Sequence, residues 1–541
     1  MKKISHNGVL FTDEYKPILR FLKPLAEEML YNYALKEKTL EELKKKDKKL
    51  YNQFNNNFWS CLKFELTTEQ KKFKFPDDFK NTLQQLKDYN EKLKEEKKNN
   101  KKTVDDKFKY ALVNDIPEPL MNVMIEPPGI FIGRGDNHLT GMWKYRVQPE
   151  DITINVLKSP VPEPPTGHKW GNVINKPVNY IASYYIKIGR DEQGNPIFQD
   201  RKEIRFDSKS SIIHSSDVKK FKKAQELLKN WDNIQNLIIK NLKNTNQTIR
   251  ECALISWLVQ FTSIRIGTET EVSEFNGVVG ASTLRCKNIK FVNDKQNINS
   301  KVKSFLETYL NFHTVLFCKI HYDNTNDKND VRTININLDE YETIILNFIG
   351  KDSINYVQKF LIPKSVSDAL KIQMKGKKPD DKIFNVKSDD VNDFLNSLLE
   401  GLTAKVFRTA WAEKIIEQEI KGYKVFKNGT NKENVNYNIL QVKNILLKVS
   451  LYLNHKKEPT DKSNVIDKIK EKIENAKTAN EKKILKLKLE YTIESNGVNT
   501  STALTNYINP KCVKKLCNKF EIPIDKIYSK TLLIRFKDFI N

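Results

Sequence analysis

Glu400-Gly-Leu-Thr-Ala-Lys-Val-Phe-Arg-Thr409, running on into Ala410-Trp-Ala-Glu-Lys-Ile415, is the stretch on which the fold reading turns. Phe407, Trp411 and Ile415 recur at a spacing of four, which lays one apolar stripe along a helix from Thr403 and sets Arg408 beside it. The same periodicity returns on either side. Upstream, Cys252, Ile255, Val259 and Thr262 predict a helix from Ile249 to Gly267, with Gly267 as its C-cap and Arg265 at its end. Downstream, Ile439, Val442, Leu446, Val449 and Leu453 alternate by threes and fours, and His455 falls just past the last turn. Between them, Thr343–Phe348 and Ser353–Tyr356 read as two strands joined by Gly350-Lys351-Asp352, a tight hairpin with Lys351 at its tip. From Ser216 onward helices therefore dominate, and Arg265, Lys351, Arg408 and His455 lie at the ends or flanks of packed elements.

The chain closes with a charged segment and a short helix. Residues 458–497 carry only narrow seams, Val465, Ile469, Ile473 and Ala476 on one arm and Ile484, Leu487 and Tyr491 on the other. Such a helical hairpin can pair arm to arm but cannot build a core, so it is expected to protrude as a linker. After it, Asn509 and Pro510 are the N-cap and first residue of a helix bearing Val513, Leu516 and Phe520. Tyr507 thus precedes a helix N-terminus, where phosphate is favoured.

The N-terminal third reads as mixed α and β. Leu83, Leu86, Tyr89 and Leu93 mark an amphipathic helix within Phe79–Lys102, solvated on its charged faces. Prolines from Pro117 to Pro128 and from Pro160 to Pro165 break the chain, and Tyr180-Ile-Ala-Ser-Tyr-Tyr-Ile-Lys-Ile188 with Gly194-Asn-Pro reads as strand and turn. The fold class is α+β and multidomain, a mixed cap lobe followed by a mainly helical lobe.

Composition narrows the partner. The 541 residues hold 93 Lys+Arg against 68 Asp+Glu, a formal net charge of +25, which asks for a polyanion. Of those 93 basic residues only 12 are arginine, and Arg408 is the single one between Arg332 and Arg535. Where the planar fork persists against such a lysine bias, its bidentate donors are candidates for phosphate. No apolar run reaches the roughly 18 residues that span a bilayer, and the N-terminus lacks a signal-peptide core, so an intracellular protein is expected. Cys61, Cys252, Cys286, Cys318, Cys512 and Cys517 show no CxxC spacing and read as reduced thiols. His313, Cys318 and His321 offer a weak metal spacing inside an asparagine-rich insertion. A phosphate-binding loop at Gly350-Lys351 fails, because Ile345 stands where glycine is needed and Asp352 where Ser or Thr is needed.

Read in chain order, Glu126-Pro-Pro-Gly-Ile-Phe-Ile-Gly-Arg-Gly135, Val147-Gln-Pro-Glu-Asp-Ile-Thr-Ile-Asn155, Gly167-His-Lys-Trp170, Phe348-Ile-Gly-Lys-Asp-Ser-Ile354, Glu400–Thr409, Leu453-Asn-His455 and Asn506-Tyr-Ile-Asn-Pro510 resemble the eukaryotic-type DNA topoisomerase IB family. Pro523–Thr531 resembles that family's C-terminus. The resemblance implies a clamp around double-stranded DNA, built from a cap lobe (1–188), a catalytic lobe (189–457, with an insertion about 297–337), a coiled linker (458–497) and a C-terminal domain (498–541). It implies relaxation of supercoils of either sign through a 3′-phosphotyrosyl intermediate on Tyr507, with Arg265, Arg408 and His455 on the phosphate and Lys351 as general acid. Arg134, Asp352 and Asn506 would contact DNA. A monomer needing neither ATP nor a metal is implied, Mg2+ being at most a stimulant, and residence in the nucleus, or at a viral replication site or in a virion.

Each residue alone has a plainer reading. Tyr507 is one of 20 tyrosines, Lys351 suits a solvated hairpin tip, Arg408 suits a structural ion pair, and Arg265 and His455 suit helix C-termini. Their joint occurrence in family order favours the site. There are departures: Ala503 and Leu504 stand where the family has Ser-Lys, and Ala410-Trp-Ala-Glu413 where it tends to have Tyr-Asn-Ala-Ser. The long basic N-terminal region of cellular members is also missing, which suggests a divergent viral or unicellular source. Two rivals remain at this point, a tyrosine recombinase and a catalytically inactive DNA-binding clamp.

Overall fold

The computed structural model describes residues 2–98, 105–133, 137–191, 193, 195–267, 279–292, 341–350 and 355–540. Arg134, Lys351, Asp352 and the insertion about 297–337, with His313, Cys318 and His321, lie outside the described residues. The chain forms two compact units, Met1–Ser216 and Asp217–Asn541. The division expected at 188/189 falls inside the strand Tyr180–Arg190, which pairs antiparallel with Pro196–Arg205. A hairpin satisfies each strand's backbone with the other, so it stays in one unit and the boundary moves to Ser216/Asp217.

In the first unit, Tyr180–Arg190 is the central strand of a six-stranded sheet and also pairs with Ile152–Asn155 and Trp143–Lys144. Burial on both faces explains its nearly unbroken apolar run: Ile181, Ala182, Tyr184, Ile186 and Ile188 are all buried. A second core gathers Met29, Leu30, Phe54, Phe58, Phe79 and Leu86 from helices Pro24–Ala34, Lys48–Lys63 and Lys80–Lys98 and the turn before the last. Leu83 and Leu86 are buried on the last of these helices, as its amphipathic pattern requires.

The second unit is mainly helical, with one three-stranded antiparallel sheet of Ile289–Val292, Tyr341–Ile349 and Asn355–Pro363. The expected hairpin is present with longer arms, paired as far as Ile349 and Asn355. Phe407, Trp411 and Ile415 of helix Ala404–Gly422 are buried, and the Trp231 ring meets Phe407 and Trp411 edge-on at 6.2 and 5.1 Å. Helix Gln247–Thr262 is buried without a break from Glu251 to Thr262.

That helix ends sooner than its sequence suggested. Ser263 takes the left-handed conformation (φ 52°) and is the C-cap, so Arg265 lies in the following loop and Gly267 is not the cap. Gly267 (φ 89°) instead lies against Gly280, where an added Cβ would stand 2.3 Å from the Gly267 Cα. The linker also departs from expectation. Its arms are Ser463–Glu474 and Ala479–Glu494, and the second packs on helix Asn431–Tyr452 rather than protruding. The Asn480 amide donates to the Asn428 carbonyl at 2.8 Å, and Lys483 Nζ lies 5.2 Å from the centre of the Tyr437 ring. Cation–π contact and a narrow seam together suffice to seat a charged helix.

The C-terminal segment is pinned by charge. Arg535 donates from Nε and Nη2 to Asp217 at 2.8 and 3.1 Å, both side chains being nearly enclosed, and Lys220 meets the same carboxylate at 2.8 Å. Removing the guanidinium leaves Asp217 with Lys220 alone and takes away two charge-assisted hydrogen bonds, so Arg535→Ala is expected to cost about 3 kcal/mol locally. Limited proteolysis should then cut residues 498–541 about a hundredfold faster, whereas an unchanged cleavage rate would show that the pair is not holding this segment.

Candidate active site

Arg408 organises the site because of where its fork reaches. It is 6% exposed; Nη1 donates to the Ser263 carbonyl at 2.7 Å, and Nη2 to the Leu453 carbonyl at 2.5 Å and to His455 Nε2 at 3.0 Å. Both carbonyls lie at helix C-termini, after Gln247–Thr262 and after Asn431–Tyr452, where acceptors are unused and the dipole is negative. One planar cation thereby joins the ends of two helices, a task for which a lysine has the wrong donor geometry. Among the described residues its Nε has no partner, and burial pulls the guanidinium below its ordinary value.

His455 is placed by the left-handed turn at Asn454 (φ 54°). The Asn454 amide donates to the Thr262 carbonyl at 3.1 Å and accepts from Gln358 at 2.8 Å, and the Tyr356 hydroxyl also donates to Thr262 at 2.8 Å. Burial, then Arg408 and Arg265, push the imidazole down to about 3, so it is neutral near pH 7. Arginine has no acceptor, so Nε2 accepts from it and the neutral ring carries its proton on Nδ1. Nδ1 is buried and unpaired among the described residues.

Tyr507 is the C-cap of helix Thr500–Asn506. Its amide and that of Ile508 both donate to the Ala503 carbonyl, at 2.9 and 3.0 Å, and Ala503 is fully buried. The phenol ring lies 5.0 Å from the Arg408 guanidinium and 5.2 Å from the His455 ring. Burial would raise the phenol, but Arg408, Arg265 and Lys405 outweigh it and hold Tyr507 below its ordinary value. Arg265 itself is exposed, and its charge acts on Tyr507, Arg408 and His455 together.

Four of the five residues expected at the site thus converge, while Lys351 lies outside the described residues, as do Arg134 and Asp352. Asn506 does not join them, since its side-chain amide turns back to the Thr502 carbonyl at 3.1 Å. Sequence reading missed Lys405, although it lies one turn before Arg408 on the same helix. Asn454 enters that reading only within the Leu453-Asn-His455 match, with no role, and Gln358 and Ser263 were missed, because a side-chain amide contact 96 positions away and a backbone carbonyl leave no local sequence signal. Among the described residues no group of three or more His, Cys, Asp or Glu side chains could hold a metal ion.

An anion-stabilising cluster around a tyrosine makes a phenolate nucleophile accessible. Difference ultraviolet titration of the chain against Tyr507→Phe should show a phenol ionising below the ordinary 10.0. In Arg265→Gln that ionisation should move to higher pH; an unmoved titration would mean that Arg265 is electrostatically remote from Tyr507.

Comparison with known proteins fits this arrangement. Residues 209–488, more than half of the chain, match the model for the eukaryotic DNA topoisomerase I catalytic core. Residues 1–193 match that family's DNA binding fragment, and residues 479–539 the C-terminal topoisomerase domain. The chain is 28% identical over 598 residues to DNA topoisomerase 1 of Homo sapiens, covering 99% of this chain and 70% of the relative. It is 26% identical over 529 residues to the Caenorhabditis elegans DNA topoisomerase 1, covering 90% and 59%, and among described helices none is long and apolar enough to cross a membrane. With core, DNA-binding and C-terminal matches present in order, the chain belongs to the eukaryotic DNA topoisomerase I family.

Proposed function

We propose that this isomerase of the DNA topoisomerase I family relaxes supercoiled duplex DNA by cutting and resealing one strand through a 3′-phosphotyrosyl ester on Tyr507. The observation that carries the reading is the buried Tyr507 phenol set against Arg408 and His455 and held below its ordinary pKa. In the forward step the Tyr507 oxygen loses its proton to water and bonds to phosphorus, and the bond from phosphorus to the 5′-oxygen breaks. The departing oxygen takes a proton from Lys351, and resealing runs the same steps backward. Negative charge gathering on the nonbridging oxygens meets Arg265, the Nε–H of Arg408, unpaired among the described residues, and the Nδ1–H of His455. The ester conserves the bond energy of the backbone, so no step calls for ATP or a metal.

Affinity would come from elsewhere. With 81 of 93 basic residues being lysine (93 − 12), phosphate neutralisation should dominate binding and make it weakly sequence-specific. The departure at Ala503 and Leu504, which motivated the inactive-clamp reading, weighs little because the Ala503 carbonyl itself seats the Tyr507 amide.

The reading is tested by incubating supercoiled plasmid with the chain and with Tyr507→Phe, in EDTA and without ATP. Relaxation by the parent alone, with a trapped 3′-linked adduct, is the expected outcome. Binding without relaxation would leave the inactive clamp standing, and strand exchange between two sites would select the recombinase. For the acid, Lys351→Ala should slow cleavage of an ordinary 5′-oxygen ester far more than that of a 5′-thio ester, whose leaving group needs no proton. Equal slowing of both esters would remove Lys351 from that role.

A further inference from the structure

Arg408 is not the only charged group that helix Ala404–Gly422 buries. Glu413 is 6% exposed, and its two oxygens are committed in different directions. Oε1 accepts from the Gln225 side chain at 3.1 Å, and Oε2 accepts from the Asn509 side-chain amide at 3.3 Å. Asn509 is 2% exposed and N-caps helix Pro510–Lys519 by accepting from the Lys511 amide at 3.1 Å. The carboxylate fixes which way that amide faces: its NH2 is drawn to Glu413, leaving the oxygen for the cap.

Asn509 is two residues after Tyr507, and the intervening Ile508 is fully buried. The tyrosine backbone is therefore held on both sides, by the Ala503 carbonyl before it and by the Asn509–Glu413 contact after it. Arg408 and Glu413 are five positions apart on one helix, about 7.5 Å of rise and roughly 140° of rotation. One face of the helix thus meets the Tyr507 ring, and another meets the cap of the segment that carries it.

We propose that Glu413 is a positioning residue for the nucleophile: through Asn509 it fixes the Tyr507 backbone relative to Arg408, so that one rigid helix sets the distance between phenol and guanidinium. The inference rests on Tyr507 being the nucleophile. It also accounts for a carboxylate where the family tends to have serine, a placement that would otherwise bury an acid for no return.

Single-turnover cleavage and DNA affinity, measured separately on the full chain, test it. Asp caps helices as well as Asn does, so a mere cap would tolerate Asn509→Asp. Facing Glu413, however, that substitution sets two carboxylates together, and cleavage should slow by about tenfold or more with DNA affinity unchanged. Adding Glu413→Gln should restore most of the rate, because the glutamine amide then donates to the new carboxylate. Parent-like cleavage by Asn509→Asp, or a slow double variant, would overturn the proposal. If Asn509→Asp does not fold, Glu413→Ala and Glu413→Gln decide: a slowed Ala variant with a rescued Gln variant supports positioning, and parent-like cleavage by Glu413→Ala rejects it. Tyr507→Phe run alongside keeps the two readings apart, since cleavage by that variant removes the nucleophile assignment itself.

Discussion

A buried guanidinium with no carboxylate to neutralise it among the described residues is the constraint around which the second unit is arranged. Arg408 is accommodated by two backbone carbonyls and one imidazole nitrogen, all acceptors that helix ends or a neutral histidine supply. Each acceptor requires something of the chain. Gln247–Thr262 must stop at Ser263, Asn431–Tyr452 must stop at Leu453, and His455 must stay neutral. A carboxylate would have satisfied Arg408 more strongly, but it would also have neutralised the positive field that holds down the Tyr507 phenol.

The remaining polar contacts serve the same end. The Thr262 carbonyl takes hydrogen bonds from Asn454 and Tyr356, and Gln358 holds the Asn454 oxygen, so the strand Asn355–Pro363 is tied to the turn that presents His455. Because these donors and acceptors meet in a buried setting, a shift in any of them would strand a polar group at a cost of about 1–3 kcal/mol. Among the described residues of this cluster Arg265 and Lys405 stand exposed, so these two cations can meet a ligand without the protein opening.

Charge in this protein has two separable uses. The excess of +25 is mostly lysine and acts at range on a polyanion. The few buried ionic groups, Arg408 and Glu413 among them, act at contact distance, where low dielectric makes geometry matter more than number.

The sequence by itself determined a good deal. Periodicity located the helix bearing Arg408 and the helix that ends just before His455, the Asn509-Pro510 signal located the helix after Tyr507, and scarcity against a lysine background singled out Arg408. These are local properties, fixed by spacing and backbone chemistry along the chain. What the sequence misplaced were ends and partners: the true end of Gln247–Thr262, the seating of Ala479–Glu494 on its neighbour, and the unit boundary beyond the strand Tyr180–Arg190. Only the tertiary structure decided that Arg408 lies inside the core with helix-end carbonyls as its counter-groups, and that Glu413 reaches Asn509. A backbone carbonyl has no residue type to betray it, and a pair 96 positions apart in the chain becomes neighbours only through packing.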